Sequence, residues 1–133
     1  MTESLKVSTV LPATPRQVFN AWVDSEAHGL FTGSKAEIDP RAGGAYTAWD
    51  GYIQGKTLEM EPYHRIFQTW RTDEFPEGSQ DSFLEVLIEE VNDGTKITLV
   101  HTLIPEGQGE QYKQGWLDYY FAPMVEYFSN IEE

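Results

Sequence analysis

The 133-residue sequence predicts a single α+β domain in which a curved antiparallel sheet of about six or seven strands wraps a long C-terminal helix. Three patterns carry this. An alternating apolar stretch opens the chain and two capped helical stretches follow it at once. From Lys35 to Leu103 short β-type segments alternate with glycine-rich or proline-containing turns. From Gly109 to Phe128 aromatic residues then recur at helical spacing.

Leu5, Val7 and Leu11 alternate with Lys6 and Ser8, the period of a half-buried strand. Thr14, Pro15 and Gln17 form a Thr-x-x-Gln capping box with proline at the first helical position. Val18 with Trp22 and Phe19 with Val23 then stand four apart, which predicts a helix from about Pro15 to Val23. Asp24 or Ser25 caps a second, shorter helix through Phe31 that stops at Gly33. Asp50-Gly51 predicts a two-residue hairpin between strands Tyr46–Trp49 and Tyr52–Met60. In the second strand Ile53 is odd and Leu58 and Met60 are even, so burial of all three requires a bulge, expected at Gly55. Arg65–Thr72, Ser82–Val91 and Thr95–Leu103 complete the meander, the last two joined by the Asn92-Asp93-Gly94 turn. In the final helix Pro123 removes one hydrogen bond and clashes with the carbonyl near Tyr119, so a kink is expected there.

Composition narrows the functions open to the chain. Cysteine is absent, which removes disulfides, thiol nucleophiles and cysteine-ligated metals. A net charge of −13, with nine basic residues of which no two are adjacent, opposes nucleic-acid binding. No apolar run approaches the ~18 residues of a membrane span and no signal-peptide core follows Met1, so neither membrane insertion nor export is expected and the location expected is cytoplasmic. Between Arg71 and Lys96 the chain carries eight acidic residues and no basic one, which reads first as a solvated face and second as a docking patch for a basic partner.

Catalytic and cofactor motifs are missing. His28, His64 and His101 do not form a His-Glu-x-x-His pattern or another local metal site, and neither a nucleophile elbow nor a phosphate loop is present. No catalytic residue, metal or cofactor is therefore assigned. Two polar residues interrupt apolar strand faces: Gln68 lies between Ile66 and Trp70, and His101 between Leu99 and Leu103. A buried polar group costs roughly 1 to 3 kcal/mol unless paired, so each needs a protein partner, a water or a ligand. Trp22 reads as core. Trp70, Trp116 and Tyr120 fall between the sheet and the long helix, where core and cavity-lining roles are both open. The acidic residues of the Asp73–Glu77 loop, with Asp118 and Glu126, read as surface, and Arg65 and Arg71 as surface ion-pair partners.

An ordered set of motifs runs along the chain: Gly43 to Gly55 as GGAYTAWDGYIQG, then Pro62, Arg65 to Arg71 as RIFQTWR, Phe75-Pro76-Glu77-Gly78, Gln114-Gly115-Trp116 and Tyr119-Tyr120-Phe121. Together they resemble the C-terminal domain of the AHSA family, activators of the heat-shock chaperone ATPase. The resemblance spans about Val7 to Phe128 and implies the START-like, SRPBCC helix-grip fold over residues 1–133 as one domain. In the larger co-chaperones such a domain is joined to an N-terminal domain that docks on the chaperone; the superfamily at large holds apolar small molecules between helix and sheet. The first expectation is a non-enzymatic binding domain for a hydrophobic or aromatic ligand, its cavity lined by Tyr46, Gln68, Trp70, His101, Trp116, Tyr120 and Met124, with Gln68 and His101 fixing orientation. The alternative is a stress-response module that modulates a heat-shock chaperone ATPase, using the acidic Asp73–Asp93 region. A third reading, a cyclase- or dehydratase-like enzyme, would rest on His101.

Overall fold

A computed structural model describes residues 2–130. Strand β1 (Thr2–Leu11) is followed by helices α1 (Pro15–Val23) and α2 (Ser25–Thr32). Strands β2 (Glu37–Ile38), β3 (Ala45–Ala48), β4 (Ile53–Glu61), β5 (Arg65–Thr72), β6 (Ser82–Val91) and β7 (Gly94–Pro105) come next. The described residues end in α3 (Gly109–Gly115), a π-helical segment (Trp116–Phe121) and α4 (Ala122–Asn130). The strands form one antiparallel sheet in the order β1-β7-β6-β5-β4-β3-β2. Its inner face curves over the C-terminal helix and buries, among others, Ile66, Leu84, Val86, Ile97, Leu99 and Met124.

The two expected helices form with their capping signals in use. Thr14 Oγ1 accepts from the Gln17 amide at 3.1 Å while Gln17 Oε1 accepts from the Thr14 amide at 2.8 Å. Asp24, one of the two candidates, caps α2 by accepting from the Ala27 amide at 2.8 Å, and Gly33 ends it with φ +79°.

Four local expectations need correction. The β3–β4 connection is longer than two residues: Ala48 pairs with Ile53, leaving Trp49 to Tyr52 as the loop, with Trp49, Asp50 and Gly51 all at positive φ. Gly55 is not the bulge. The register of β4 against β5 shifts between Thr57 and Glu59, so Ile53 and Thr57 point inward, Leu58 is exposed, and Met60 returns to the inner side. Gly55 is required for another reason, because a Cβ there would lie 2.0 Å from the Thr69 carbonyl oxygen. In β7, Leu103 does not share the inner face with His101. A register shift opposite Glu3 to Leu5, with Leu103 at φ 59°, turns Leu103 outward and puts Ile104 in the core. The expected kink at Pro123 takes the form of a π-helical stretch just before it, with the Ala122 amide donating to the Leu117 carbonyl. Proline offers no proton to the Tyr119 carbonyl, and the wider turn accommodates the ring that a regular helix would push against that carbonyl.

Candidate functional site

The C-terminal helix crosses the sheet with its most aromatic turn over the ends of β4 and β5, and there the packing leaves a cleft of about 280 Å³. The β3–β4 loop supplies Trp49 and Tyr52, β4 supplies Ile53, and β5 supplies Trp70. From the other side come Gln111, Tyr112 and Gly115 of α3, and Trp116, Tyr119 and Tyr120 of the π segment. Gln111 and Tyr119 are exposed at its edge, whereas Trp70, Tyr112, Trp116 and Tyr120 are buried. The rings brace one another: Trp70 meets Tyr112 edge-on at 4.9 Å, Trp116 meets Tyr120 at 4.8 Å, and Trp49 meets Tyr119 at 5.8 Å. The π turn has a structural part in this, since within six consecutive positions it brings Trp116 and Tyr120 to the buried side and Tyr119 to the cleft's edge.

Hydrogen bonds hold the walls from behind. Trp116 Nε1 donates to His101 Nδ1 at 3.1 Å, His101 Nε2 meets Ser82 Oγ at 2.8 Å, and Ser82 Oγ donates to the Trp70 carbonyl at 2.7 Å. On the other flank the Tyr120 hydroxyl donates to His28 Nε2 at 2.8 Å, and His28 Nδ1 donates to the Trp22 carbonyl at 2.8 Å. The Trp49 indole in turn donates to the Tyr120 oxygen. Burial pushes His28 down to about 4 and His101 down to about 3, so both imidazoles are neutral at pH 7. The Tyr112 hydroxyl donates to Gln108 Oε1 at 2.7 Å and meets Thr72 Oγ1 at 2.6 Å. Tyr52 donates to the Glu74 carboxylate, which also accepts from Gln111 and is held below its ordinary pKa by these two bonds.

Of the seven residues expected to line a cavity, the structure places Trp70, Trp116 and Tyr120 on the cleft wall. Tyr46 and Gln68 lie deeper, around a void of about 10 Å³, too small for a ligand. The Tyr46 hydroxyl donates to the Thr69 carbonyl at 2.6 Å. Gln68 accepts from the Trp22 indole at 3.4 Å and donates to Thr57 Oγ1 at 3.1 Å. His101 sits behind Trp70 and Trp116 with both ring nitrogens engaged, and Met124 is core. The histidine on which the enzymatic reading rests therefore has both ring nitrogens engaged within the protein, and among the described residues no group of three His, Asp or Glu is placed to hold a metal. Seven wall residues were missed. Tyr112, Gly115 and Tyr119 share a helix face with Trp116, a signal the helical spacing contains. Trp49 and Tyr52 flank Asp50-Gly51, where the sequence reads as strand ends.

The surface expectations hold. Arg65 pairs with Glu59 at 2.7 Å and Glu85 at 2.5 Å, and Arg71 with Asp81 at 3.2 Å. No helix among the described residues is long and apolar enough to cross a membrane.

Residues 12–129 match the family model described as activator of Hsp90 ATPase homolog 1-like protein. The human activator of 90 kDa heat shock protein ATPase homolog 1 is 26% identical over 115 residues, 86% of this chain and 34% of that protein. A Dictyostelium discoideum homologue is also 26% identical, over 86% of this chain and 30% of its own length. The chain thus spans about a third of the curated relatives it matches. Among solved structures, an Hsp90 activator from Plasmodium falciparum superposes with a TM-score of 0.80 at 27% identity, covering 90% of this chain and 91% of that one. CalU16 from Micromonospora echinospora superposes at 0.79 with 25% identity, covering 97% and 78%. With the family model matched from the end of β1 to the end of α4 and the helix-grip architecture shared, the chain belongs to the activator of Hsp90 ATPase homolog 1-like family.

Proposed function

We propose that the protein is a non-enzymatic binding domain that holds a small apolar or aromatic molecule in the cleft between β4–β5 and the C-terminal helix. One observation carries this reading: seven of the ten wall residues are aromatic, yet they leave about 280 Å³ between them, near the lower end of ligand-site volumes. A core of interlocking side chains normally closes such space. Orientation falls to Tyr52 and Gln111, which line the cleft, in place of Gln68 and His101, which lie behind its wall.

Gly115 provides the test. A Cβ built there meets nothing nearer than Tyr119 Cδ2 at 4.0 Å, so Gly115→Phe adds a ring on the wall without displacing backbone. Gently purified wild-type protein should show added mass under native and not denaturing conditions, or should bind the neutral probe N-phenyl-1-naphthylamine with enhanced emission; Gly115→Phe should lose both. Equal binding by the two proteins, or binding by neither, overturns the reading.

A second reading rests on the Plasmodium falciparum neighbour, named as an Hsp90 activator and covered over 91% of its chain. On it, this domain docks on a heat-shock chaperone and modulates its ATPase. Asp73, Glu77, Glu89, Glu90 and Asp93 are exposed between Arg71 and Lys96 and would face a basic partner surface. Salt-sensitive binding with a changed ATPase rate would support it; an unchanged rate at saturating protein would remove it.

A further inference from the structure

Chemical character can be read from where the cleft's protons point. The Tyr52 hydroxyl donates to Glu74, the Tyr112 hydroxyl to Gln108 and the Tyr120 hydroxyl to His28. The Trp116 indole donates to His101, the Trp49 indole to Tyr120, and the Gln111 amide to Glu74. Six wall residues thus direct hydrogen-bond donors away from the space they enclose, and among the described residues none of the ten that line it is Lys or Arg. An anionic or strongly accepting head group entering here would lose its water and gain few donors, a cost of several kcal/mol for an ion.

What the wall does offer is ring faces and phenol oxygens with their lone pairs. An aromatic face carries negative potential, and a cation over it within about 6 Å of the centroid is attracted. Tyr52 adds to this, because donation of its proton to the Glu74 carboxylate leaves its oxygen and ring richer in electrons. That carboxylate stands one hydrogen bond behind the wall through both Tyr52 and Gln111. The cations that this protein stacks on its own rings lie on other ones: Arg16 on Tyr63, Arg65 on Phe67 and Arg71 on Phe75. A net charge of −13 favours the approach of a cation from any direction.

We infer that the cleft's occupant is a cation, an aryl- or alkylammonium whose charged head lies against the aromatic wall near Tyr52 and Glu74. This deepens the small-molecule reading above and rests on it.

Three probes of matched shape separate the two claims. Benzyltrimethylammonium, its neutral carbon isostere neopentylbenzene, and the anion phenylmethanesulfonate would be titrated at fixed ionic strength, following tryptophan emission and the proton shift of the probe's methyl or methylene groups. The ammonium should bind roughly tenfold tighter than the isostere, its methyl protons moved upfield by ring currents, and the sulfonate should not bind. Glu74 is exposed, so Glu74→Gln should fold normally; it should weaken the ammonium several-fold and leave the isostere unchanged. Tyr52→Phe, which removes the bond to Glu74, should act in the same direction. If the isostere or the sulfonate binds as tightly as the ammonium, or if Glu74→Gln weakens all probes equally, the charge assignment is overturned and the apolar cleft survives. If none of the three binds and N-phenyl-1-naphthylamine also fails, both readings fall.

Discussion

The indole N–H of Trp116 donates to Nδ1 of His101 at 3.1 Å, and this bond sets the tautomer of a histidine buried within the sheet. With Nδ1 accepting, the ring proton sits on Nε2 and goes to Ser82 Oγ, whose own proton goes to the Trp70 carbonyl. A cleft-wall residue on the helix is thereby tied through two strands to the backbone of another cleft-wall residue, and the wall is held as one unit.

Breaking this chain at one point strands its partner. His101→Leu leaves the Trp116 N–H and the Ser82 hydroxyl short of a partner and should cost about 2 kcal/mol, with Trp116→Phe costing that and its lost area. The double variant should cost less than the sum of the two, because the orphaned donor goes with the indole. Urea midpoints at constant slope measure this; additive costs would show that the bond carries no coupling.

Both buried histidines make stability depend on pH. The unfolded chain takes up a proton at each as pH falls below about 6.5, whereas the folded chain resists until about 4 at His28 and about 3 at His101. Below 6.5 the unfolded state therefore binds more protons, so stability is complete above that pH and falls as pH is lowered from 6.5 toward 4. The limiting slope is about 1.4 kcal/mol per pH unit for each histidine. Denaturant unfolding at pH 7, 6 and 5 reads the slope, and carboxylates contribute little until lower pH. Half that slope would mean that one imidazole is hydrated in the folded state, and a flat profile would mean that both are.

The contrast between what the sequence disclosed and what it withheld follows the range of the interactions. Helix caps depend on residues within a few positions, so Thr14, Gln17, Asp24 and Gly33 are legible. Leu58 and Leu103 were misplaced because a bulge depends on the register of a neighbouring strand, and one inserted residue reverses every side chain beyond it. The same limit governs the site. Trp70, Trp116 and Tyr120 are legible as residues between sheet and helix because they combine large rings with a predicted inner face. Trp49 reads as the end of a strand, whereas its direction is fixed by a left-handed backbone, φ 54°, that nothing in a Trp residue announces. For Gln68 and His101 the sequence leaves the partner open, because Trp22, Thr57, Ser82 and Trp116, which satisfy them in the fold, are distant in sequence.

Gly55 should tolerate no side chain. Its missing Cβ would stand 2.0 Å from the Thr69 carbonyl oxygen and 2.8 Å from the Tyr46 ring, and the first of these is backbone that cannot move aside without opening β4 from β5. Gly55→Ala is expected to cost about 2 to 3 kcal/mol and to loosen the Tyr46–Thr69 bond. Thermal unfolding with amide exchange across β4 and β5 tests it. A loss below 1 kcal/mol would mean that the two strands separate there at little cost.

Gly115 should behave in the opposite way. It lies in regular helical geometry at φ −61°, and the space beyond its Cα is the cleft itself. Alanine there removes the entropic penalty of a helical glycine without touching a neighbour closer than 4.0 Å, so Gly115→Ala should stabilise the protein by about 0.5 to 1 kcal/mol. A methyl group occupies little of 280 Å³, so this variant should still take up N-phenyl-1-naphthylamine, whereas Gly115→Phe should not. Stability and occupancy then move independently along one series at one position, which a simple packing defect would not allow. If Gly115→Ala instead unfolds more easily than wild type, the junction of α3 with the π segment requires glycine for its own geometry, and the gap beside it owes its existence to the backbone.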